Sequence, residues 1–157
     1  MRIPEFVRKK LVSLVNRILL READMFIGGR DDCYMERWYL IPQNRLFNIY
    51  LHCFHRSDDD RALHDHKAHN ISIILMGRYD EHLSGGVVKR RTQGGVYFRH
   101  ATTPHRVALI NGRSVLTIFV KLPDYREWGF HCPRGWVHNE LFTSNVGKES
   151  KVGRGCG

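Results

Sequence analysis

The chain has 157 residues, 42% of them hydrophobic and 26% charged, enough for one globular domain with its own core and too little for two. Lysine and arginine number 25 against 16 acidic residues, and the resulting formal charge of +9 gives an anionic partner weight before any motif is read. No apolar run reaches the length of a membrane span, and the basic, apolar start is broken at Asn16 and Arg17 with no small-residue cleavage site after it, so neither a spanning helix nor a signal peptide is expected and the cytoplasm is the expected compartment.

In chain order, residues 5–21 place Phe6, Val7, Leu11, Leu14, Val15, Ile18 and Leu19 at helical spacing with basic residues among them. This predicts an amphipathic helix packed on the rest of the domain, a reading that outweighs contact with nucleic acid or a membrane surface. Gly28 and Gly29 close this first segment, residues 1–30. From Tyr34 the pattern changes to short β-rich runs, YMERWYLI, LFNIYLHCF, NISIILM, GVVKRR, GGVYFRH, HRVALI and SVLTIFVKL. Turn residues recur roughly every ten positions, which predicts an all-β sandwich or barrel over 31–142. Ser84, Gly85 and Gly86 mark a turn between the runs around Tyr79 and Val88, and Asn111-Gly112 reads as a type I′ hairpin joining HRVALI to SVLTIFV. The Lys89-Arg90-Arg91 run reads as the charged guard of an edge strand. Residues 143–157, TSNVGKESKVGRGCG, lose apolar periodicity and read as a flexible tail with Cys156 an exposed thiol. Cys33, Cys53 and Cys132 form no C-x-x-C pair, so reduced thiols are expected throughout.

Histidine stands out in the composition, ten residues of a type that both ligates metals and titrates near neutrality. His64 and His66 are two apart and share one face if that segment is extended. Chance alone gives about 0.6 His-x-His pairs in so histidine-rich a chain, so the context has to carry the specificity. That context is Gly77 eleven residues on, a Gly94-Gly95 turn, and His105 after Pro104 at the start of an apolar strand. The arrangement resembles the cupin family. Its first motif runs Gly, five residues, His-x-His, three or four residues, Glu, six residues, Gly; here His64, His66 and Gly77 fall in register, with Asn70 at the Glu position and Asp58 at the first Gly. Of the second motif Gly94 and His105 match, while His100, Thr102 and Leu109 stand at its Pro, Gly and Asn positions. Beyond the motifs, Trp38 to Phe142, including RSDDDRALHDH and WGFHCPRGWVH, is similar to small single-domain cupins common in bacterial and prophage genomes.

The resemblance implies a double-stranded β-helix (jelly-roll) barrel with the N-terminal helix against it, and His64, His66 and His105 turned inward as ligands of a divalent metal, with Asn70 a weaker fourth donor. Three neutral imidazoles with open positions suit a catalytic site, with iron(II) the favoured ion and nickel, manganese or zinc the alternatives. Some cupin thiol dioxygenases use such a set, so the leading reading is a dioxygenase-like mononuclear enzyme acting on a small, anionic molecule. A non-redox isomerase or lyase with His100 or Tyr79 as proton carrier is the second reading. The third is a non-catalytic ligand-binding module whose basic surface meets a partner or nucleic acid. Asp58 to Asp60 read as a solvated turn, and Arg56, Arg61, Arg99 and Arg106 as candidates for a substrate anion with none singled out. His52, His55, His82, His131 and His138 read as structural, and His69 ranks well below His105 as a ligand. Trp128, Phe130 and Trp136 read as packing that closes the barrel. NISIILM is apolar on both faces and needs cover from the helix or a second subunit, so a homodimer is expected.

Overall fold

The computed structural model describes residues 1–58, 62–146, 149–152 and 156; Asp59, Asp60 and Arg61 of the expected acidic turn lie outside the described residues. Helix α1 runs from Glu5 to Ile18, with Pro4 at its N-cap. Arg8 holds the first-turn Glu5 at 2.8 Å and extends Nη1 to the Leu75 carbonyl at 2.8 Å, tying the helix to the sheet. The helix ends a turn earlier than its apolar spacing predicts. Arg21 pairs with Asp24 at 2.8 Å, and Asp24 accepts the Tyr39 backbone N–H at 2.7 Å, drawing the chain into the first strand.

The strands are β1 (Met25–Ile27), β2 (Met35–Tyr39), β3 (Asn48–Phe54), β4 (Leu63–His64), β5 (Asn70–Met76), β6 (Arg78–Leu83), β7 (Val88–Thr92), β8 (Val96–Arg99), β9 (His105–Leu109), β10 (Val115–Lys121), β11 (Gly129–Cys132) and β12 (Gly135–His138). A short helix α2 (Asn139–Phe142) then leads into β13 (Thr143–Val146) and β14 (Glu149–Val152). One sheet has eight strands in the order β13-β14-β1-β2-β3-β10-β5-β8, the other six in the order β12-β11-β4-β9-β6-β7. All the pairings are antiparallel except β1 with β14. The fold is all-β with an N-terminal helix, as the patterning predicts. No helix among the described residues is long and apolar enough to cross a membrane.

Strand alternation decides what faces inward. On β3, Tyr50, His52 and Phe54 look into the barrel, while Ile49, Leu51 and Cys53 look out. The larger apolar cluster is on that outer side, where Val15 of α1 packs with Trp38, Leu51, Leu75, Leu116 and Ile118. The cover that β5 needs therefore comes from α1. Ile74 and Leu75 are both fully buried on opposite faces, Leu75 under the helix and Ile74 inside the barrel with Tyr79, Val107 and Val115. Phe6 and Leu14, expected on the packed stripe, are instead mostly exposed. Gly77 turns β5 into β6 at φ +82°, and a Cβ there would lie 2.8 Å from the Ser114 carbonyl oxygen, so only glycine fits this motif position.

Three expectations change. The Ser84–Gly86 turn does join β6 to β7, and β7 is the outer strand of its sheet. Asn111 and Gly112 also take the positive φ that type I′ chemistry favours, 55° and 64°, yet they join no hairpin. β9 belongs to the six-stranded sheet and β10 to the eight-stranded one, because β10 is buried from Val115 to Ile118 and needs both β3 and β5 as neighbours. The stretch read as a flexible tail contains β13 and β14, which pair with each other and, through β14, with β1. Backbone ladder bonds to an open strand edge hold this segment, and composition does not report them. Finally, Cys156 is joined to Cys132 in a disulfide, while Cys33 and Cys53 are free. Spacing of 24 residues along the chain hides a contact that the returning strand creates.

Alkylation of the denatured protein should label two of the four cysteines without reductant and all four after reduction, read by mass spectrometry. Leu75→Ala should cost on the order of 3 kcal/mol in urea unfolding, since it empties the seam between α1 and β5.

Candidate metal centre

His64 ends β4, and its partner across the ladder is His105, the first residue of β9. His66 follows in the loop, and ring nitrogens of the three lie within 4.8 Å of one another. His66 Nε2 is 2.8 Å from His105 Nε2. The three form part of the wall of a cavity of about 440 Å³, a size that suits a small molecule. Burial is the largest effect on each imidazole and pushes it below the ordinary histidine range, His66 and His105 well below. For His64 the Asp58 carboxylate pulls the other way. All three are therefore neutral near pH 7, the form that ligates metal. A divalent ion about 2.1 Å from each nitrogen would hold the nitrogens roughly 3 Å apart, so this donor set fits such an ion with small side-chain adjustments.

Behind His105 stands Glu81 of β6, 1% exposed. Its Oε1 is 3.1 Å from His105 Nδ1 but out of line, so Nδ1 makes no hydrogen bond among the described residues. Glu81 accepts from Arg99 Nε at 2.8 Å and from Arg91 Nε at 2.7 Å. Burial alone would raise this carboxyl, but the two guanidiniums outweigh it and hold the group below its usual value. Arg99 Nη1 also donates to Asn70 Oδ1 at 3.0 Å. The oxygen expected to face the metal is thus turned to Arg99, its direct neighbour across the β5–β8 ladder, because a charge-assisted hydrogen bond is the stronger interaction. Asn70 Nδ2 is buried with no hydrogen-bond partner among the described residues.

Tyr79 lines the cavity, and burial pushes its hydroxyl up to about 12 against the pull of Arg99, so it keeps its proton. His100 does not reach the cavity. Arg99 faces inward, so the next residue faces out, and His100 is exposed against His69 and Phe98, with ring centroids 5.2 and 5.0 Å away. His69 Nδ1 accepts from the Ala101 backbone N–H at 3.1 Å, which anchors the loop instead of a metal. Asp58 is no solvated turn residue. It is buried, accepts from the Val107 N–H at 2.6 Å and faces His64 Nδ1 at 3.6 Å. Trp128 and Phe130 line the cavity, and Phe130 stacks on Phe142 at 3.6 Å.

Two cavity residues escape the sequence reading. His52 faces the cavity beside Phe119, at 5.0 Å, and Phe119 stands 6.3 Å from His66. Arg37 Nε donates to His52 Nε2 at 2.9 Å. A signal existed, since alternation in LFNIYLHCF puts Tyr50, His52 and Phe54 on one face that is polar and aromatic instead of aliphatic. A second grouping, Glu36, Cys53 and His55, lies on the outer side of the large sheet, with His55 Nε2 2.8 Å from Glu36. There burial pushes the Cys53 thiol up to about 11, so it is not a thiolate.

Among solved structures, a DMSP lyase, DddQ, from Ruegeria pomeroyi superposes with a TM-score of 0.54 at 19% identity, over 68% of this chain and 57% of that one. A conserved Klebsiella pneumoniae protein with a double-stranded β-helix domain superposes at 0.52 and 12% identity, over 66% of this chain and 89% of that one. The fold is that of the cupins. The EutQ protein of Clostridium difficile has it too, with a TM-score of 0.50 at 12% identity over 64% and 76% of the two chains. At these identities the likeness is one of fold, and this chain spans little more than half the length of the DMSP lyase. No family model and no curated protein matches the chain.

The buried ionisable groups of this chain set its pH response. His52, His66 and His105 are held neutral in the fold, whereas the unfolded chain takes up protons below about 6.5, so stability falls as pH drops from that value. Glu81 adds stability that is fully present above about 4.5 and is lost as pH falls through its depressed folded value. Thermal midpoints should therefore decline steadily from pH 7.5 to pH 4. Glu81→Gln, which leaves Arg99 and Arg91 short of their counter-charge, should cost on the order of 3 kcal/mol at pH 7.

Proposed function

We propose that this cupin is a mononuclear metal-dependent enzyme acting on a small, anionic molecule inside the barrel. The observation that carries this reading is the convergence of three neutral imidazoles at the wall of a cavity of small-molecule size. A bound divalent ion, iron(II) ahead of nickel, manganese or zinc, would supply Lewis acidity and, with dioxygen as co-substrate, the oxidising chemistry of a dioxygenase.

The chain's own residues divide the remaining work. His64, His66 and His105 offer lone pairs without carrying charge, and the Glu81 carboxylate stands behind His105 where it favours one ring orientation. Asn70, held by Arg99, leaves positions open beside the triad. With three neutral donors the positive charge at the centre is uncompensated, which favours an anionic ligand. Trp128, Phe130 and Phe142 form an apolar wall that limits water.

A non-redox lyase or isomerase is the second reading, and Tyr79 supports it: a phenol that keeps its proton in the cavity wall is a proton donor at neutral pH. The DMSP lyase that shares the fold is itself a lyase. Oxygen-independent turnover that tolerates zinc or manganese would select this reading over the dioxygenase.

Elemental analysis of protein purified without a histidine tag, together with His64→Ala and His105→Ala, tests the centre. The expected result is about one ion per wild-type chain and at least a tenfold loss in each folded variant. A metal-free wild type that also refuses added iron(II) would sink the enzyme reading and leave a ligand-binding module, for which association with nucleic acid should then be measured against salt.

A further inference from the structure

Arg37 projects from β2 into the cavity, across the ladder from His52. Its Nε is used on His52, and its guanidinium lies over the Tyr50 ring, 4.8 Å from the centroid. The nearest partner of Nη1 is the Met25 sulfur at 4.0 Å, a weak acceptor, and Nη2 has no acceptor among the described residues. No carboxylate among the described residues pairs with it. The other cations of the cavity wall are committed: Arg99 to Glu81, Arg56 to Asp32 at 3.2 Å, Lys121 to Asp124 at 2.7 Å and Lys67 to Glu127 at 3.5 Å. Burial depresses Arg37, with only tyrosines opposing it, yet a guanidinium keeps its proton throughout the ordinary pH range. A fixed charge left unpaired and partly desolvated is costly, and the cost is recovered when an anion arrives.

The geometry points to a second subsite in the same cavity, in which Arg37, seated on Tyr50 and braced by His52, binds the carboxylate of an organic monoanion. One uncommitted planar fork suits a planar, singly charged carboxylate, whereas a phosphate dianion needs further cations and those at hand are already paired. The path from Arg37 to the histidine triad runs along rings, His52 to Phe119 at 5.0 Å and Phe119 to His66 at 6.3 Å, with Tyr50 stacked on Phe119 at 6.4 Å. The ligand is therefore a carboxylic acid with an apolar or aromatic body, its carboxylate on Arg37 and its other end beside the triad. This deepens the small-anion reading and rests on it for the ligand's size, but the carboxylate contact does not need the metal.

Benzoate, its neutral isostere benzamide, and inorganic phosphate are the probes, titrated by calorimetry into chelator-treated protein. Benzoate should bind the wild type at least about tenfold more tightly than benzamide, and phosphate at equal concentration should not displace it. Arg37→Gln should lower benzoate affinity to the benzamide level, and Arg37→Lys, which keeps charge but loses the fork, should fall between. Equal affinity for acid and amide, no benzoate binding at all, or unchanged binding in Arg37→Gln would overturn the subsite. Benzoate binding that appears only after metal is added would overturn it too, by assigning the carboxylate to the triad. The acid–amide comparison needs only wild-type protein, so misfolding of a variant leaves the question decidable. Because the protein is stripped of metal, failure of the metal centre and failure of the subsite are separate results.

Discussion

A buried carboxylate shared between two arginines is the constraint around which the barrel is organised. Glu81 belongs to the six-stranded sheet and Arg99 to the eight-stranded one, so their ion pair crosses the barrel interior and ties the two sheets together. Arg91 arrives on the neighbouring strand and Asn70 from across the β5–β8 ladder. A lone carboxylate at this depth would take up a proton, whereas two guanidiniums keep it ionised and fix where it points. His105 is set against that carboxylate, and so one ligand of the triad inherits its position from the cross-sheet pair.

This arrangement is affordable because the main apolar burial lies elsewhere. Helix α1 packs on the outside of the large sheet, where Trp38, Leu51, Leu75, Leu116 and Ile118 form the larger cluster. Inside, Ile74, Tyr79, Val107 and Val115 form a smaller buried apolar plug. The rest of the interior is free to carry His52, Asp58, Ser72, Arg99 and His105, a polar lining that a single central core would not tolerate. Function follows from this division: the outer seam supplies stability, and the interior holds polar groups with unmet bonding capacity, the condition of a binding site.

The cavity that results has two distinct ends. At one, neutral imidazoles present lone pairs and attract a cation; at the other, Arg37 presents N–H groups and attracts an anion. Aromatic rings lie between them, an arrangement that fits the proposed ligand with its carboxylate on Arg37 and its other end beside the triad. Asp65, between the two histidines of the His-x-His pair, points the opposite way, fastens the β11–β12 hairpin through Gly129 N–H and Trp136, and pairs with Arg126 just ahead of it. Alternation along three residues thereby joins the site to the closure of the barrel.

The features legible from neighbouring residues are local. The period of two placed His64 and His66 together, turn chemistry marked the Ser84–Gly86 hairpin, helical spacing found α1, and the motif resemblance added Gly77 and His105. Tertiary structure alone decided that Asn70 turns to Arg99, that Glu81 and Arg91 stand behind His105, and that His52 and Arg37 share the cavity. It also sent β9 and β10 to different sheets across Asn111-Gly112, brought Cys132 to Cys156, and drew the last strands onto β1. The reason is physical: alternation and turn preference are properties of a few adjacent residues, whereas in a jelly roll the partner of each strand comes from far along the chain. Which charge meets which is then settled by register, and register is chosen by the burial of the whole sheet.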